Sequence, residues 1–251
     1  MSRTAAAFLP MALICSPHSA AQDSPAMKPN LGIIGGKPVM KGEYSFVVAL
    51  RDTRDKRVFC TGQIVGDYWV LTAKHCLDGT IRPKDAPFVV RTGRNMTEGK
   101  DFSSNQVFFN TDKLDVALIK LNEKITSNSV VSIPLRQGYP PAPGTRFTAV
   151  GWGLVRSTDI RGANDLQKLD DLTLDRCEQQ AHICGIFPEN GAKRTAKGDS
   201  GGPAVYEQYE QYGSLVSLGV LVGVLPSTPN KVDYVRADGF NQWLKETMRK
   251  K

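Results

Sequence analysis

The sequence lacks the features by which membrane-spanning and nucleic-acid-binding chains are usually recognised. No apolar run in its 251 residues reaches the ~18 needed to cross a bilayer as a helix. No block of five or more like charges occurs, although the formal net charge is +7. This modest excess favours a solvated basic surface over a nucleic-acid site, and it leaves attraction to anionic cell surfaces or acidic substrates open.

Cofactor signatures are missing as well. The chain has no group of metal-ligating residues at metal-binding spacing, no phosphate-cradling loop and no dinucleotide-binding motif. Histidine is scarce, with three residues, and cysteine amounts to five. The sequence therefore predicts a function that uses neither a cofactor nor a metal ion.

The first residues are typical of an export signal. Arg3 supplies a positive charge, and Ala5–Cys15 form a short, mostly apolar segment. Ser19–Ala21 then offer small residues for cleavage before Gln22. Residues 1–21 are therefore predicted to be a signal peptide, and the mature protein is expected to be secreted or periplasmic.

The cysteine count agrees with export. Removal of the signal peptide takes Cys15 with it and leaves four cysteines, which allow three pairings. An exported protein is expected to hold them in disulfides, whereas the alternative is four reduced, buried thiols in a cytosolic protein.

Most of the chain consists of short β-branched and aromatic runs separated by turn residues. The length suits one large all-β domain or two smaller ones. Many short strands with no helical pattern between them predict a barrel or a sandwich. The predicted strands are Ser45–Arg51, Arg57–Val65, Trp69–Ala73, Phe88–Thr92, Val107–Phe109, Val116–Leu121, Arg146–Val150, Leu169–Leu174, Ala204–Tyr206 and Leu215–Val224.

The C-terminus has a different pattern. Phe240, Trp243, Leu244 and Met248 recur at helical spacing, and polar residues occupy the rest of the turn. A basic amphipathic helix can lie on a membrane surface. Packing against its own domain is the favoured interpretation here.

The run Lys197–Pro203 carries the strongest chemical signal. Its three glycines allow a tight turn that brings the backbone close to a ligand. The Ser200 hydroxyl is a weak nucleophile that needs a base, and the N–H groups of Gly198 and Ser200 could stabilise developing negative charge. Gly-Asp-Ser-Gly is also ordinary turn chemistry, so the run alone does not establish a nucleophile.

Four further stretches precede this run in a fixed order: Ile33–Gly36, Leu71–Cys76, Asp115–Leu121 and Gly151–Gly153. Together with the run and the amphipathic C-terminus, they make the sequence resemble the trypsin/chymotrypsin-like serine proteases, as a secreted member of bacterial type, from Ile33 to about Met248. The resemblance implies an all-β fold of two six-stranded antiparallel Greek-key β-barrels with a C-terminal α-helix.

The resemblance also divides the chain. It implies a short pro-segment at residues 22–32 and a trypsin-like peptidase domain at residues 33–251. Within that domain, barrel one is expected over about 33–135, barrel two over about 136–238 and the helix over about 239–249.

Catalytic roles follow from the same resemblance. His75 would be the general base, Asp115 would fix the imidazole tautomer, and Ser200 would be the nucleophile. The oxyanion of the intermediate would lie between the N–H groups of Gly198 and Ser200. Asp112 is a competing candidate for the aspartate, but it lies in a polar turn and fits the motif poorly.

Two disulfides are implied by the family, Cys60–Cys76 across the approach to the histidine and Cys177–Cys184 across a second short loop. In the chain-entropy picture, a bridge that closes about 15 residues stabilises by roughly 3 kcal/mol.

Maturation by cleavage before Ile33 is implied as well. The new ammonium would turn inward and pair with Asp199, which would complete the oxyanion hole. Gly32 stands where many relatives carry a basic residue, so a trypsin-type activator is not expected.

Specificity is expected to depart from that of trypsins. Arg194 stands where trypsins carry an aspartate that selects Lys or Arg, and Ala196 replaces a cysteine that usually braces this pocket. An inward-facing guanidinium would favour Glu or Asp; alternatively, Arg194 faces solvent or pairs with Asp233 and leaves a small apolar pocket. The predicted substrate-binding residues are Arg194, Thr195, Lys197, Val222, Gly223, Val224 and Tyr234.

The resulting hypothesis is a monomeric, secreted serine endopeptidase that acts on protein or peptide substrates through an acyl-enzyme. Its activator would be an unidentified protease or the enzyme itself. The alternative is a catalytically inactive homologue that acts as a binding module. Lys74 in place of a small residue, and Val222–Val224 in place of the usual Ser-Trp-Gly, support this alternative. Retention of the whole triad counts against it.

Overall fold

The described part of the chain is almost entirely β structure. The computed structural model describes residue 1 and residues 33–249, with gaps at 127–129, 155, 157, 159–161, 209–213 and 225–229. Apart from Met1, the predicted signal peptide and pro-segment lie outside the described residues, so the description of the fold starts at Ile33.

Barrel one is formed by seven strands in the order β6-β5-β2-β3-β4-β8-β7, all paired antiparallel. A single residue, Ser103, separates β6 from β7, so these two act as one interrupted strand that closes the sheet into a six-membered ring. The strands are β2 (Val47–Asp52), β3 (Val58–Gly66), β4 (Trp69–Thr72), β5 (Phe88–Arg91), β6 (Asp101–Phe102), β7 (Ser104–Phe109) and β8 (Ala117–Leu121).

Barrel two also has seven antiparallel strands, in the order β1-β10-β11-β14-β13-β12-β9. An additional pairing of β9 with β10 closes six of them, and the two-residue β1 adds to the outside of β10. The strands are β1 (Lys37–Pro38), β9 (Arg146–Gly151), β10 (Gln167–Asp175), β11 (His182–Ile186), β12 (Pro203–Gln208), β13 (Ser214–Val224) and β14 (Lys231–Arg236).

Side-chain burial explains why these segments form strands. Strands β2 and β4 are almost continuously apolar and buried along their length, as expected where both faces of a strand are covered. Strand β10 alternates buried and less buried positions, which is the period of two of a strand with one wet face. The buried side chains form two apolar clusters: one fills barrel one and extends to residues of barrel two and of the C-terminal segment, and the other lies in barrel two.

The C-terminal helix α1 (Ala237–Arg249) begins two residues before the predicted start. Phe240 and Leu244 are buried in the first core cluster, and Trp243 and Met248 pack against it. The apolar face thus covers the protein itself, as the favoured interpretation requires. No helix among the described residues is long and apolar enough to cross a membrane. The two barrel-like sheets and this helix confirm the predicted fold class.

Candidate active site

His75 and Asp115 meet because two neighbouring strands end at the same edge of barrel one. Strand β4 runs antiparallel to β8, and Thr72 at the end of β4 pairs with Ala117 at the start of β8. The short 3₁₀ turn Lys74–Cys76 follows β4 and carries the histidine, while the aspartate lies just before β8. A 40-residue separation in sequence is thereby reduced to hydrogen-bond distance.

Two hydrogen bonds link His75 to the carboxylate of Asp115. His75 Nδ1 lies 2.6 Å from Asp115 Oδ2, and the backbone N–H of His75 donates to Asp115 Oδ1 at 2.9 Å. Since Nδ1 faces a carboxylate, it carries a proton and leaves Nε2 as the basic atom. Asp112, the competing candidate, is exposed, and its N–H donates to the side chain of Asn110.

Asp115 remains ionised despite its burial. Desolvation alone would raise its pKa, but hydrogen bonds from the His75 ring and from the backbone N–H groups of His75 and Lys74 outweigh that effect and lower the pKa. The carboxylate can therefore hold one imidazole orientation and stabilise an imidazolium.

Ser200 belongs to barrel two but is bonded to barrel one. Its carbonyl accepts from the N–H of Thr61 on β3 at 2.8 Å. Its hydroxyl donates to the carbonyl of Val222 at 3.3 Å, and no hydrogen bond to the ring of His75 occurs among the described residues. Val222 is the extra residue of a bulge, because Leu221 and Gly223 face consecutive residues of β14.

Two backbone N–H groups at this serine, its own and that of Gly198, have no acceptor in the described part of the chain. Gly198 has a φ of +97°, and a Cβ there would lie 2.9 Å from the Cα of Gly153. Only glycine fits this conformation and this approach without strain. Two unpaired donors next to a serine are the arrangement that stabilises an oxyanion.

Asp199 is the most deeply buried carboxyl group near the site, with 1% exposure. It accepts hydrogen bonds from the N–H groups of Gly153 (2.8 Å) and Ala196 (2.7 Å). Burial nevertheless raises the pKa of Asp199 to about 7, since these two bonds compensate only part of the desolvation. No cationic side chain pairs with this carboxyl group among the described residues.

Ile33 lies in the core of barrel two. It is fully buried, in the same apolar cluster as Tyr234, and the charge of Asp199 acts on that tyrosine. The carbonyl of the next residue, Ile34, accepts from the N–H of Arg194 at 2.9 Å. The start of the predicted peptidase domain is therefore anchored beside the loop that leads to the serine.

The residues predicted to line the substrate pocket come from one loop and two strands. Arg194, Thr195 and Lys197 lie in the loop before the serine, whereas Val222, Gly223 and Val224 lie at the end of β13 and Tyr234 on β14.

Arg194 has no carboxylate partner among the described residues. It is half-buried, and its Nη1 donates to the carbonyl of Gly191 at 3.2 Å. Asp233, which the alternative interpretation pairs with it, lies 2.7 Å from His182 Nδ1 instead. Thr195 is buried, and Lys197 is exposed.

The predicted pocket residues on β13 and β14 differ in how tightly they are packed. A Cβ at Gly223 would meet no described atom within 4 Å. Tyr234 is fully buried, packs edge-to-face on Phe147, and has a hydroxyl without a hydrogen-bond partner among the described residues. Burial raises its pKa well above the ordinary value. The backbone of Val224 pairs with that of Val232.

Both predicted disulfides are present, Cys60–Cys76 and Cys177–Cys184, with Cα–Cα distances of 6.2 and 5.3 Å. Two groups of potential metal-ligand atoms occur in the described residues, one with His75 beside the first bridge and one with Asp233 beside the second. The cysteine sulfurs of both groups are held in the disulfides, so neither group offers a thiolate.

Comparison with known proteins agrees with this geometry. The family model described as Trypsin matches residues 33–244. The chain is similar to Kallikrein-7 of Homo sapiens, with 28% identity over 229 residues that cover 87% of this chain and 88% of the relative. It is similar to Serine protease 1 of Homo sapiens, with 28% identity over 86% of this chain and 89% of the relative. It is also similar to Snake venom serine protease gussurobin of Gloydius ussuriensis, with 28% identity over 90% of this chain and 91% of the relative.

Proposed function

Because the chain belongs to the trypsin family and is a serine-type endopeptidase, we propose that it hydrolyses peptide bonds through Ser200, His75 and Asp115. The observation that carries this proposal is the 2.6 Å contact of His75 Nδ1 with Asp115 Oδ2. It leaves Nε2 basic, and the N–H groups of Gly198 and Ser200 have no acceptor among the residues that the structure describes.

The chemistry would run in two halves. Ser200 Oγ attacks the substrate carbonyl carbon while His75 Nε2 takes the hydroxyl proton, and the N–H groups of Gly198 and Ser200 bind the oxyanion. The tetrahedral intermediate collapses when the imidazolium gives that proton to the leaving amine, which leaves an acyl-enzyme. Water then attacks the ester by the same path, its proton passing through His75, and the carboxylic acid and free serine are restored. Asp115 stabilises the imidazolium in both halves.

Cleavage before Ile33 would switch the enzyme on. Burial raises the pKa of the Asp199 carboxyl group to about 7, and no cationic side chain of the described residues pairs with it. An ammonium on Ile33, already part of the neighbouring core, would supply the missing charge. Processing by another protease or by the enzyme itself is proposed, since Gly32 is not a site for a trypsin-type activator.

Secretion is proposed together with this activity. The predicted signal peptide supports it, two disulfides are typical of oxidising compartments, and one similar protein is named as a venom protease. The proposed partners are protein or peptide substrates, and the proposed active form is a monomer.

Specificity is proposed to favour acidic side chains. The guanidinium of Arg194 has no carboxylate partner among the described residues. A glutamate or aspartate side chain of the substrate could supply that partner through charge-assisted hydrogen bonds. Basic side chains would be repelled at the same position.

A quenched-fluorescence peptide library tests the proposal as a whole. The chain processed to begin at Ile33 should cleave library peptides, and the Ser200→Ala variant processed in the same way should not. If neither protein cleaves while both are folded, the inactive-homologue alternative is correct. Equal cleavage by both would mean that the hydrolysis does not depend on the proposed nucleophile.

A further inference from the structure

Thr61 is a buried threonine on β3 that makes four hydrogen bonds at or next to the serine loop (residues 197–203). Its sequence context carries no catalytic pattern. Thr61 is completely buried, at 0% exposure. Its hydroxyl donates to the carbonyl of Gly198 at 2.8 Å and accepts from the N–H of Trp152 at 3.0 Å. Its N–H donates to Ser200 O at 2.8 Å, and its carbonyl accepts from the hydroxyl of Thr72 at 2.8 Å.

Because of two of these bonds, every backbone carbonyl of residues 197–200 in the serine loop accepts a hydrogen bond. Lys197 O accepts from Leu154 N–H at 2.7 Å, and Asp199 O accepts from Gly202 N–H at 3.0 Å. Thr61 supplies the other two donors, with its hydroxyl at residue 198 and its N–H at residue 200. In this completely described stretch, the carbonyl of Gly198 is the one held by a side chain rather than by backbone.

Along the chain, the Gly198 carbonyl lies between the N–H groups of Gly198 and Ser200, which have no acceptor among the described residues. Fixing the Gly198 carbonyl fixes the peptide plane that joins Gly198 to Asp199, and therefore the path of the chain from one N–H donor to the other. Gly198, with no Cβ and a φ of +97°, has few steric limits of its own on that plane. Hydrogen bonds must therefore restrain this plane. Within the loop, the Asp199 N–H donates to the carbonyl of Ala196 at 3.1 Å, and from outside the loop the Thr61 hydroxyl donates to the Gly198 carbonyl at 2.8 Å.

We infer that Thr61 is a positioning residue of the proposed oxyanion hole: its hydroxyl sets the separation and direction of the Gly198 and Ser200 N–H groups. This inference rests on the proposed function. Without the hydroxyl, the Gly198 carbonyl and the Trp152 N–H would both be buried and unpaired. The loop would turn to recover these bonds, and small displacements of oxyanion donors cost much of their effect.

The test compares four variants of the processed enzyme. Thr61→Val keeps the shape and removes the hydroxyl. Thr61→Ser and Thr61→Ala both lose the methyl group and differ only in the hydroxyl. Thr72→Val is the matched control, because it removes a second buried hydroxyl that bonds to Thr61 O but not to the serine loop.

We expect Thr61→Val and Thr61→Ala to lower kcat about 10- to 100-fold with little change in KM. Thr61→Ser should stay near wild type, and so should Thr72→Val. A peptide aldehyde, whose adduct with Ser200 places an oxygen in the hole, should bind the Val and Ala variants more weakly in proportion to the loss of kcat/KM. A product peptide acid should bind all variants alike.

The outcomes separate the two hypotheses. A wild-type enzyme that neither cleaves peptides nor binds the aldehyde overturns the proposed function and this inference with it. An active wild type with unchanged kcat in Thr61→Val, or with equal losses in Thr61→Ser and Thr61→Ala, overturns the inference alone. If Thr61→Val does not fold, the Ser and Ala pair decides. A kcat loss in Thr72→Val as large as that in Thr61→Val would reduce the effect to general packing and also overturn it.

Discussion

The hydroxyl of Ser200 is bonded to the backbone carbonyl of Val222, 3.3 Å away, at the bulge of β13. A hydroxyl has one proton, so under the proposed mechanism it must leave this carbonyl before it can donate to the imidazole of His75. The bond therefore keeps the serine in a resting orientation. A substrate that needs the Val222 carbonyl for its own backbone N–H would release the hydroxyl as it binds.

Replacement of the nucleophile gives the first prediction. Ser200→Ala should lower the rate of peptide hydrolysis about 10⁴-fold or more, because attack and acyl-enzyme formation both need the hydroxyl. The fold should persist, since the Ser200 carbonyl, which bonds to Thr61, is unchanged. Progress curves with a fluorogenic peptide and urea unfolding of the same sample check both points. Undiminished hydrolysis by the variant would exclude Ser200 as the nucleophile.

The buried carboxyl group of Asp199 gives a pH prediction for the unprocessed chain. Its pKa rises from 3.8 to about 7 on folding. The folded state therefore holds the proton more tightly, and the associated stability is complete below about pH 4 and is lost as pH rises through about 7. At about 1.4 kcal/mol per pKa unit, the loss amounts to at most ~4 kcal/mol.

Urea unfolding between pH 4 and pH 8 measures this loss, in a Ser200→Ala background that prevents self-cleavage. Asp199→Asn should remove most of the pH dependence whatever its effect on absolute stability. Processing before Ile33 should remove it too, because the new ammonium favours the ionised carboxylate. A pH slope that survives Asp199→Asn would assign the titration to another group.

Processing gives a third prediction. Active material should begin with Ile-Ile-Gly-Gly on N-terminal sequencing, because the proposed ammonium partner of Asp199 exists only after cleavage before Ile33. Full-length protein should be nearly inactive. Active enzyme that instead begins at Gln22 would show that activity does not depend on this new N-terminus.

Arg194 gives a prediction on specificity. The enzyme should cleave after Glu or Asp, and Arg194→Ala should lower that cleavage roughly tenfold or more, the usual effect of losing a charged hydrogen bond. Lys193→Ala is the matched control, since the Lys193 ammonium is already paired with Glu189 at 2.6 Å. Efficient cleavage after Lys or Arg would contradict the proposal. Cleavage confined to small or aromatic residues, and unchanged by Arg194→Ala, would leave the arginine without a role in selection.

The disulfide beside the histidine gives a prediction on stability. Replacing Cys60 and Cys76 together by alanine removes a bridge of sequence separation 16 and should cost about 3 kcal/mol in unfolding free energy. Replacing Cys177 and Cys184, with separation 7, should cost about 2 kcal/mol. Activity should fall further in the first variant, because its bridge joins β3 to the turn that carries His75. Equal activity losses in the two variants would argue against that positioning effect.

Local pattern was enough to predict much of the molecule. The segments with β-branched and aromatic runs are strands. The two disulfides that the family resemblance implied are also present, although the cysteine count alone left three pairings open. Strands β1, β6, β11 and β14 were not predicted. The first two have only two residues each, and β11 and β14 contain His182 and Asp233. His182 Nδ1 on β11 and Asp233 Oδ1 on β14 lie 2.7 Å apart, so the buried aspartate and the half-buried histidine each satisfy the other.

The candidate site also combines residues that local motifs predict with long-range contacts that they do not predict. His75, Asp115 and Ser200 stand in local motifs that the sequence displays. Thr61 acts on Gly198 across 137 positions, and the bond of the Ser200 hydroxyl goes to a bulge whose register depends on β14. Such contacts depend on how the two barrels pack against each other, and no short sequence motif specifies that packing.

Barrel one contributes His75 and Asp115, whereas barrel two contributes Ser200 and both candidate oxyanion donors. The barrels are joined by the bonds of Thr61 and by a buried bond from Gln63 Nε2 to Gly219 O at 3.2 Å. Under the proposed mechanism, neither half is a protease alone. A gene divided between the barrels would encode two polypeptides, each of which lacks part of the proposed catalytic site. Peptide hydrolysis would then require that the two polypeptides associate. Fused to two other proteins, the halves would form a split reporter of their proximity.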